Sequence, residues 1–132
     1  TATAFGVVEM VARIGGRETD TIRIQETCHL TGESSRAALK SYIALRDDAR
    51  AEVFNTLRAD AAHAQGHVDC KEIVQDGARA RAIPIVQVNN HLAHVTHEAA
   101  IGSVDSKHLE TLLSRGLTED EATDLIIEGL LS

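Results

Sequence analysis

The 132-residue chain is 43% hydrophobic and 25% charged, enough for one domain with a real core and too short to expect two. Its formal net charge of -7, with no basic cluster, argues against nucleic acid or an anionic membrane surface as partner. With one Tyr, two Phe and no Trp, the core must be filled by Ala, Val, Ile and Leu, which favours thin, regular layers.

No apolar run approaches the roughly 20 residues of a spanning helix, and the N-terminus lacks the basic and apolar regions of a secretory signal. A cytoplasmic protein is expected. The chain opens at Thr1 directly into strand-like sequence, as a piece of a longer protein would. Cys28 and Cys70 lie far apart and match neither a zinc spacing nor a dense disulfide framework. For a lone cysteine the ordinary expectation is a small buried hydrophobe.

From Phe5 to about Gly102 the chain reads as many short strands. Val7, Val8, Val11 and Ile14 begin the pattern, the turn-like GGRETD follows, and Ile22 and Ile24 alternate in TIRIQETCHL. The segments GESSRAAL, DDARAEVF, DAAHAQGH, DGARARAI and NHLAHVTH then resemble loose copies of one polar turn entering a strand. Ser35, Ala49, His63, Ala78 and Leu92 mark them, about 14 or 15 residues apart. Two such units per turn predict a flattened parallel β-helix with coils of about 30 residues and three or four coils in all. An antiparallel sandwich would accommodate the same strand spacing. Pro84, inside ARAIPIVQV, predicts a strand edge or corner because it cannot donate to a ladder.

After Gly102 the pattern becomes helical, so the chain divides into a β-helix core, 1–103, and a C-terminal helical segment, 104–132. Asp105 or Ser106 can cap a helix with Leu109, Leu112 and Leu113 on one face, and Gly116 supplies a stop. Thr118 and Glu121 form a T-x-x-E capping box, followed by Ala122, Leu125, Ile126 and Leu130 at helical spacing. Such a hairpin can serve as a lid over one solenoid end. Because Ile127 and Leu131 widen its apolar face, it can equally dock a partner.

The chemistry gathers between Pro84 and Gly102, with Cys70 upstream. Strand alternation puts His91, Val95 and His97 on one face and His94, Thr96 and Glu98 on the other, so H-x-x-H-x-x-H is not a self-contained zinc site. There is no P-loop, glycine fingerprint or Ser-His-Asp order. Cys70 lies about one coil before His97 and Glu98, so a thiol, an imidazole and a carboxylate can stack at one edge of a solenoid. That soft and hard mixture suits iron, zinc or a nascent iron–sulfur cluster held incompletely by one chain.

At these residues a family resemblance enters. CHLTGESSRAALKSYIAL, ARAIPIVQVNN and above all VTHEAAIGSVDSKHLETLLSRGLTEDEATDLIIEGLL resemble the C-terminal part of the SufB/SufD family, the scaffold proteins of Suf iron–sulfur cluster assembly. Cys70 and Glu98 fall where SufB-type chains carry a cysteine and a glutamate, and His97 matches a histidine of both branches, so the chain looks SufB-like. The resemblance implies a right-handed parallel β-helix and a lateral interface with a second SufB- or SufD-like subunit, or with a second copy in a homodimer. It also implies C-terminal helices that dock the ABC-type ATPase SufC. The transient iron–sulfur cluster would be assembled at the subunit interface, with Cys70, His97 and Glu98 as candidate cluster and metal ligands. On this view the chain is a scaffold that turns over no substrate, ATPase activity residing in a partner. The alternatives are a purely structural β-helix with an inert Cys70, and a small metal-dependent hydrolase dependent on His97.

Overall fold

The computed structural model describes all 132 residues. Seven strands, β1 (Val7–Gly16), β2 (Thr21–Leu30), β3 (Arg36–Leu45), β4 (Arg50–Ala59), β5 (Gln65–Val74), β6 (Arg79–Val88) and β7 (His94–Gly102), precede two helices, α1 (Ser106–Ser114) and α2 (Glu119–Leu131). Odd strands form one sheet in the order β1-β3-β5-β7, and even strands form the other in the order β2-β4-β6. All pairings are parallel with one constant offset: Val7 lies opposite Arg36, Arg36 opposite Gln65 and Gln65 opposite His94, while Thr21, Arg50 and Arg79 do the same on the second sheet. The fold is a parallel β-helix of about three turns, which excludes the antiparallel sandwich.

The constant offset has a visible cause at the corners. Phe5, Ser34 and His63 hold one corner in the left-handed region, and Glu18, Asp47 and Asp76 hold the other. None is glycine, and each such residue costs on the order of 1 kcal/mol. At the second corner the side chains offset part of this: Asp47 accepts from the amide of Glu18, and Asp76 accepts from the amide of Asp47, one coil apart each time. Backbone bonds also run through the corners, as in Gln65 N–H to Ser35 C=O and His94 N–H to Ala64 C=O. A one-residue slip would break these bonds and turn every interior side chain outward.

Alternate residues of each strand face the interior, where two apolar clusters form. One contains Cys28, Leu30, Leu39, Leu57, Val68 and Cys70 among its ten members; the other contains Ile43, Leu45, Ala49, Ala51 and Val53. Gly66 is required on this inner face, since a Cβ there would stand 2.6 Å from Leu57 Cδ2. Pro84 lies within β6, the last strand of its sheet, where its missing N–H breaks no ladder. His91 departs from expectation. It sits in the turn before β7 and shares no strand face with Val95 and His97.

Both helix signals are realised. Asp105 accepts from the amide of Lys107 at the start of α1, Gly116 follows its end at φ 95°, and Thr118 and Glu121 form a reciprocal capping box on α2. α2 buries Ala122, Thr123 and Ile127 and leaves Leu125 48% exposed. The expected face through Leu125 is therefore rotated, because Arg46 pairs with Asp120 and Asp124, and Arg17 pairs with Asp124, fixing the helix about its axis. α2 packs on β3 and β1. It does not act as a lid over β6 and β7, the last strand of each sheet, which leave Ile85, Val86, Val88 and Ile101 exposed.

Candidate functional site

The offset between neighbouring coils decides which of Cys70, His97 and Glu98 can meet. Cys70 on β5 lies opposite Ala99 on β7, Val68 lies opposite His97, and Asp69 lies opposite Glu98. Cys70 and His97 therefore share the interior face as diagonal neighbours, about 8 Å apart between Cα atoms by strand rise and spacing. Glu98 points to the outer face. There its carboxylate stands 3.7 Å from His67 Nε2, and His67 Nδ1 is hydrogen-bonded to Thr96 at 2.6 Å. The set Cys70, His97 and Glu98 is thus divided between two faces of one sheet.

Cys70 is 1% exposed and not in a disulfide. Burial, followed by the negative charges of Glu72, Asp69 and Glu26, pushes its thiol up to about 11. As folded, it is a thiol and not a thiolate at neutral pH. His97 is exposed because nothing stacks on β7 beyond β5. The thiol therefore lies one coil inside an open end of the solenoid, with His97 above it at the rim.

Residues outside the sequence-derived set also reach the interior. Glu26, Ser41, Asn55 and Glu72 all occupy interior-facing positions, and the first three are joined by hydrogen bonds into a polar seam between the two apolar clusters. Glu72 is 3% exposed and neither carboxylate oxygen has a hydrogen-bond partner. Burial alone raises its carboxyl to about 7. The available signal was polar side chains at the inward parity of otherwise apolar strands, as in Ser41 between Leu39 and Ile43. On the outside, Asp60 accepts from His29, Arg58 and Asn89, bonds that tie three successive coils and lower its carboxyl.

The model of the family described as "SUF system FeS cluster assembly, SufBD core domain" matches residues 16–130. The chain belongs to the SufBD family. An iron–sulfur cluster assembly SufBD family protein of Methanocaldococcus jannaschii is 39% identical over 125 residues, covering 95% of this chain and 40% of that protein. Its counterpart in Pyrococcus horikoshii is 41% identical over 125 residues, covering 95% of this chain and 38% of the relative. The iron–sulfur cluster assembly protein SufB of Bacillus subtilis is 31% identical over 69 residues, covering 52% of this chain and 15% of that protein. The chain spans about two fifths of the length of the first two relatives. This SufBD chain places its cysteine inside the coil, its histidine at the rim and its glutamate on the outer wall.

Proposed function

We propose that this chain is part of a scaffold on which iron–sulfur clusters are assembled, with iron and sulfide as cargo. The observation that carries the proposal is the position of Cys70: an interior thiol one coil from an open solenoid end, with His97 above it and unpaired apolar strands around it. A second SufB- or SufD-like subunit, or a second copy of this chain, would stack on β6 and β7 and complete an otherwise unfinished site. Cys70 and His97 would bind from the inner face. Glu98, on the outer face, would join them only through a local bulge, and otherwise orients its own strand through His67.

The helical segment 104–132 would be the docking element for a SufC-like ABC ATPase, which would supply all nucleotide hydrolysis in a cytoplasmic SufBCD-type complex. This assignment rests on family membership, on the exposed Leu113 and Leu125, and on the acidic residues around them. The chain itself turns over no substrate.

One observation favours a second reading, a purely structural β-helix: the Cys70 thiol is fully buried and kept protonated. Anaerobic reconstitution with iron and sulfide, in the presence of the ATPase and a sister subunit, separates the two. Charge-transfer bands and bound iron that disappear in Cys70→Ala support the scaffold. Equal iron uptake by parent and variant supports the structural β-helix.

A further inference from the structure

The outer wall of the even sheet carries a basic patch that no single stretch of the sequence announces, because stacking assembles it from three strands. Arg50 on β4 lies directly opposite Arg79 on β6, and the next outward row is Arg23 on β2, Glu52 on β4 and Arg81 on β6. All four arginines are exposed. Neighbouring strands are about 4.8 Å apart and alternate residues about 6.6 Å apart, so the four side chains rise from an area about 10 Å across. Like charges opposite one another in a ladder are destabilising. None of the four is in a salt bridge, whereas Arg17, Arg46, Arg58, Lys40 and Lys71 all have carboxylate partners. Four unpaired guanidinium groups thus surround one carboxylate, Glu52, in a chain whose net charge is -7.

Further along the same wall the outward rows turn apolar. Phe54 lies opposite Ile83 and Thr56 opposite Ile85; Phe54 and Ile83 are half-buried, and Ile85 is 43% exposed. The Arg23 guanidinium lies 4.8 Å from the centre of the Phe54 ring, at the boundary between the basic and apolar halves. α2 packs on β3 and β1, in the other sheet, and leaves this wall open. The two halves together select the occupant. A nucleic acid presents phosphate along its whole length, but here the arginines are bordered by the acidic corner of Glu18, Asp47 and Asp76 on one side and by isoleucines on the other. The wall's one aromatic ring is already covered by Arg23 and offers no platform for a base. A polypeptide segment in which carboxylates are followed by apolar side chains complements both halves at once.

We propose that the outer wall of β2, β4 and β6 docks an acidic segment of a partner protein, its carboxylates paired with Arg23, Arg50, Arg79 and Arg81 and its apolar side chains set on Ile83 and Ile85. Arginine suits the task because its planar fork grips a carboxylate through two parallel N–H donors. Because the charges are exposed, association is fast and sensitive to salt. The wall is separate from the scaffold site, since Cys70 faces the interior from β5, in the other sheet, and it is separate from the helical segment 104–132. It holds a partner alongside the coil and takes no part in cluster chemistry.

The test is fluorescence anisotropy of the 132-residue chain with a fluorescein-labelled synthetic peptide that carries one glutamate per arginine of the wall, followed by Leu-Ser-Leu. The expected result is saturable binding of one peptide per chain, weakening as salt rises. Arg79→Glu combined with Arg81→Glu weakens binding by at least about tenfold, because like charges then face each other across the interface. The same double variant binds a peptide with Lys in place of Glu more tightly than the parent does, which separates reversal of charge from loss of the fold. Arg36→Glu, at an exposed and unpaired arginine on β3, binds the acidic peptide as the parent does. Absence of saturable binding overturns the proposal. So does equal binding by parent and double variant, and so does an equal loss in Arg36→Glu, which would make net charge the cause. Tighter binding of a labelled single-stranded oligonucleotide than of the acidic peptide overturns it in favour of nucleic acid. A concentration-dependent dimer in sedimentation that the double variant abolishes overturns it in favour of a second copy of this chain.

Discussion

Glu72 should make the stability of the chain fall as pH rises, and Glu72→Gln should remove that fall. Its carboxyl is raised from 4.5 to about 7 by burial, with both oxygens unpartnered inside the coil. The folded state therefore holds a proton that the unfolded chain has released. The stability from that proton is complete below about pH 4.5, declines as pH rises towards 7, and is lost once pH passes the folded-state value. A displacement of this size corresponds to about 3 kcal/mol across the window, at about 1.4 kcal/mol per unit. The assay is urea unfolding of parent and Glu72→Gln at matched pH, reading the difference between them so that all other titrations cancel. Near pH 4 the two should be similar; near pH 8 the variant should be more stable by about 3 kcal/mol. Parallel curves across the range would refute the reasoning, because they would mean that the carboxylate is solvated or paired in the folded protein.

Cys28 and Cys70 are both buried thiols, and burial raises both. A disulfide reagent at neutral pH should find almost no reactive thiol in the native chain and two after denaturation; rapid reaction of one native thiol would count against the closed position of Cys70. Arg46 contacts Asp76 on the solenoid and Asp120 and Asp124 on α2. Arg46→Ala should therefore raise hydrogen exchange across 119–131 and leave the strands protected, and high salt should mimic it in part. Thr118→Ala removes the acceptor for the amide of Glu121 and should cost about 1 kcal/mol, read as a loss of helix stability by circular dichroism and urea unfolding. Leu57→Ala, in the first apolar cluster, should cost about 2–5 kcal/mol in the same unfolding assay.

Much of this fold can be read directly from local chemistry. Polar turns about 14 or 15 residues apart announce the coil, because corner residues must tolerate tight backbone geometry and the Ala, Val and Ile between them can only be buried by stacking. The capping residues Asp105 and Thr118 mark both helices because cap hydrogen bonds join near neighbours in sequence. The opposite faces of His97 and Glu98 follow from strand parity. His91 falls outside that alternation because it lies in the turn that precedes β7, which begins only at His94.

What the tertiary structure alone decided is which residues stand beside one another across coils. A coil of about 30 residues would let Cys70 stack near His97 and Glu98; the actual offset puts Ala99 opposite the thiol, His97 on the diagonal and Glu98 on the far wall. That offset is set by the left-handed corners and their cross-coil hydrogen bonds, which no local pattern encodes. The face of α2 follows the same logic, since Leu125 and Ile127 are equally apolar and only the pairing of Arg46 with Asp120 and Asp124 selects between them. So does the polar seam. Glu26, Ser41 and Asn55 are unremarkable one by one, and become a group only when stacking brings β2, β3 and β4 around one interior.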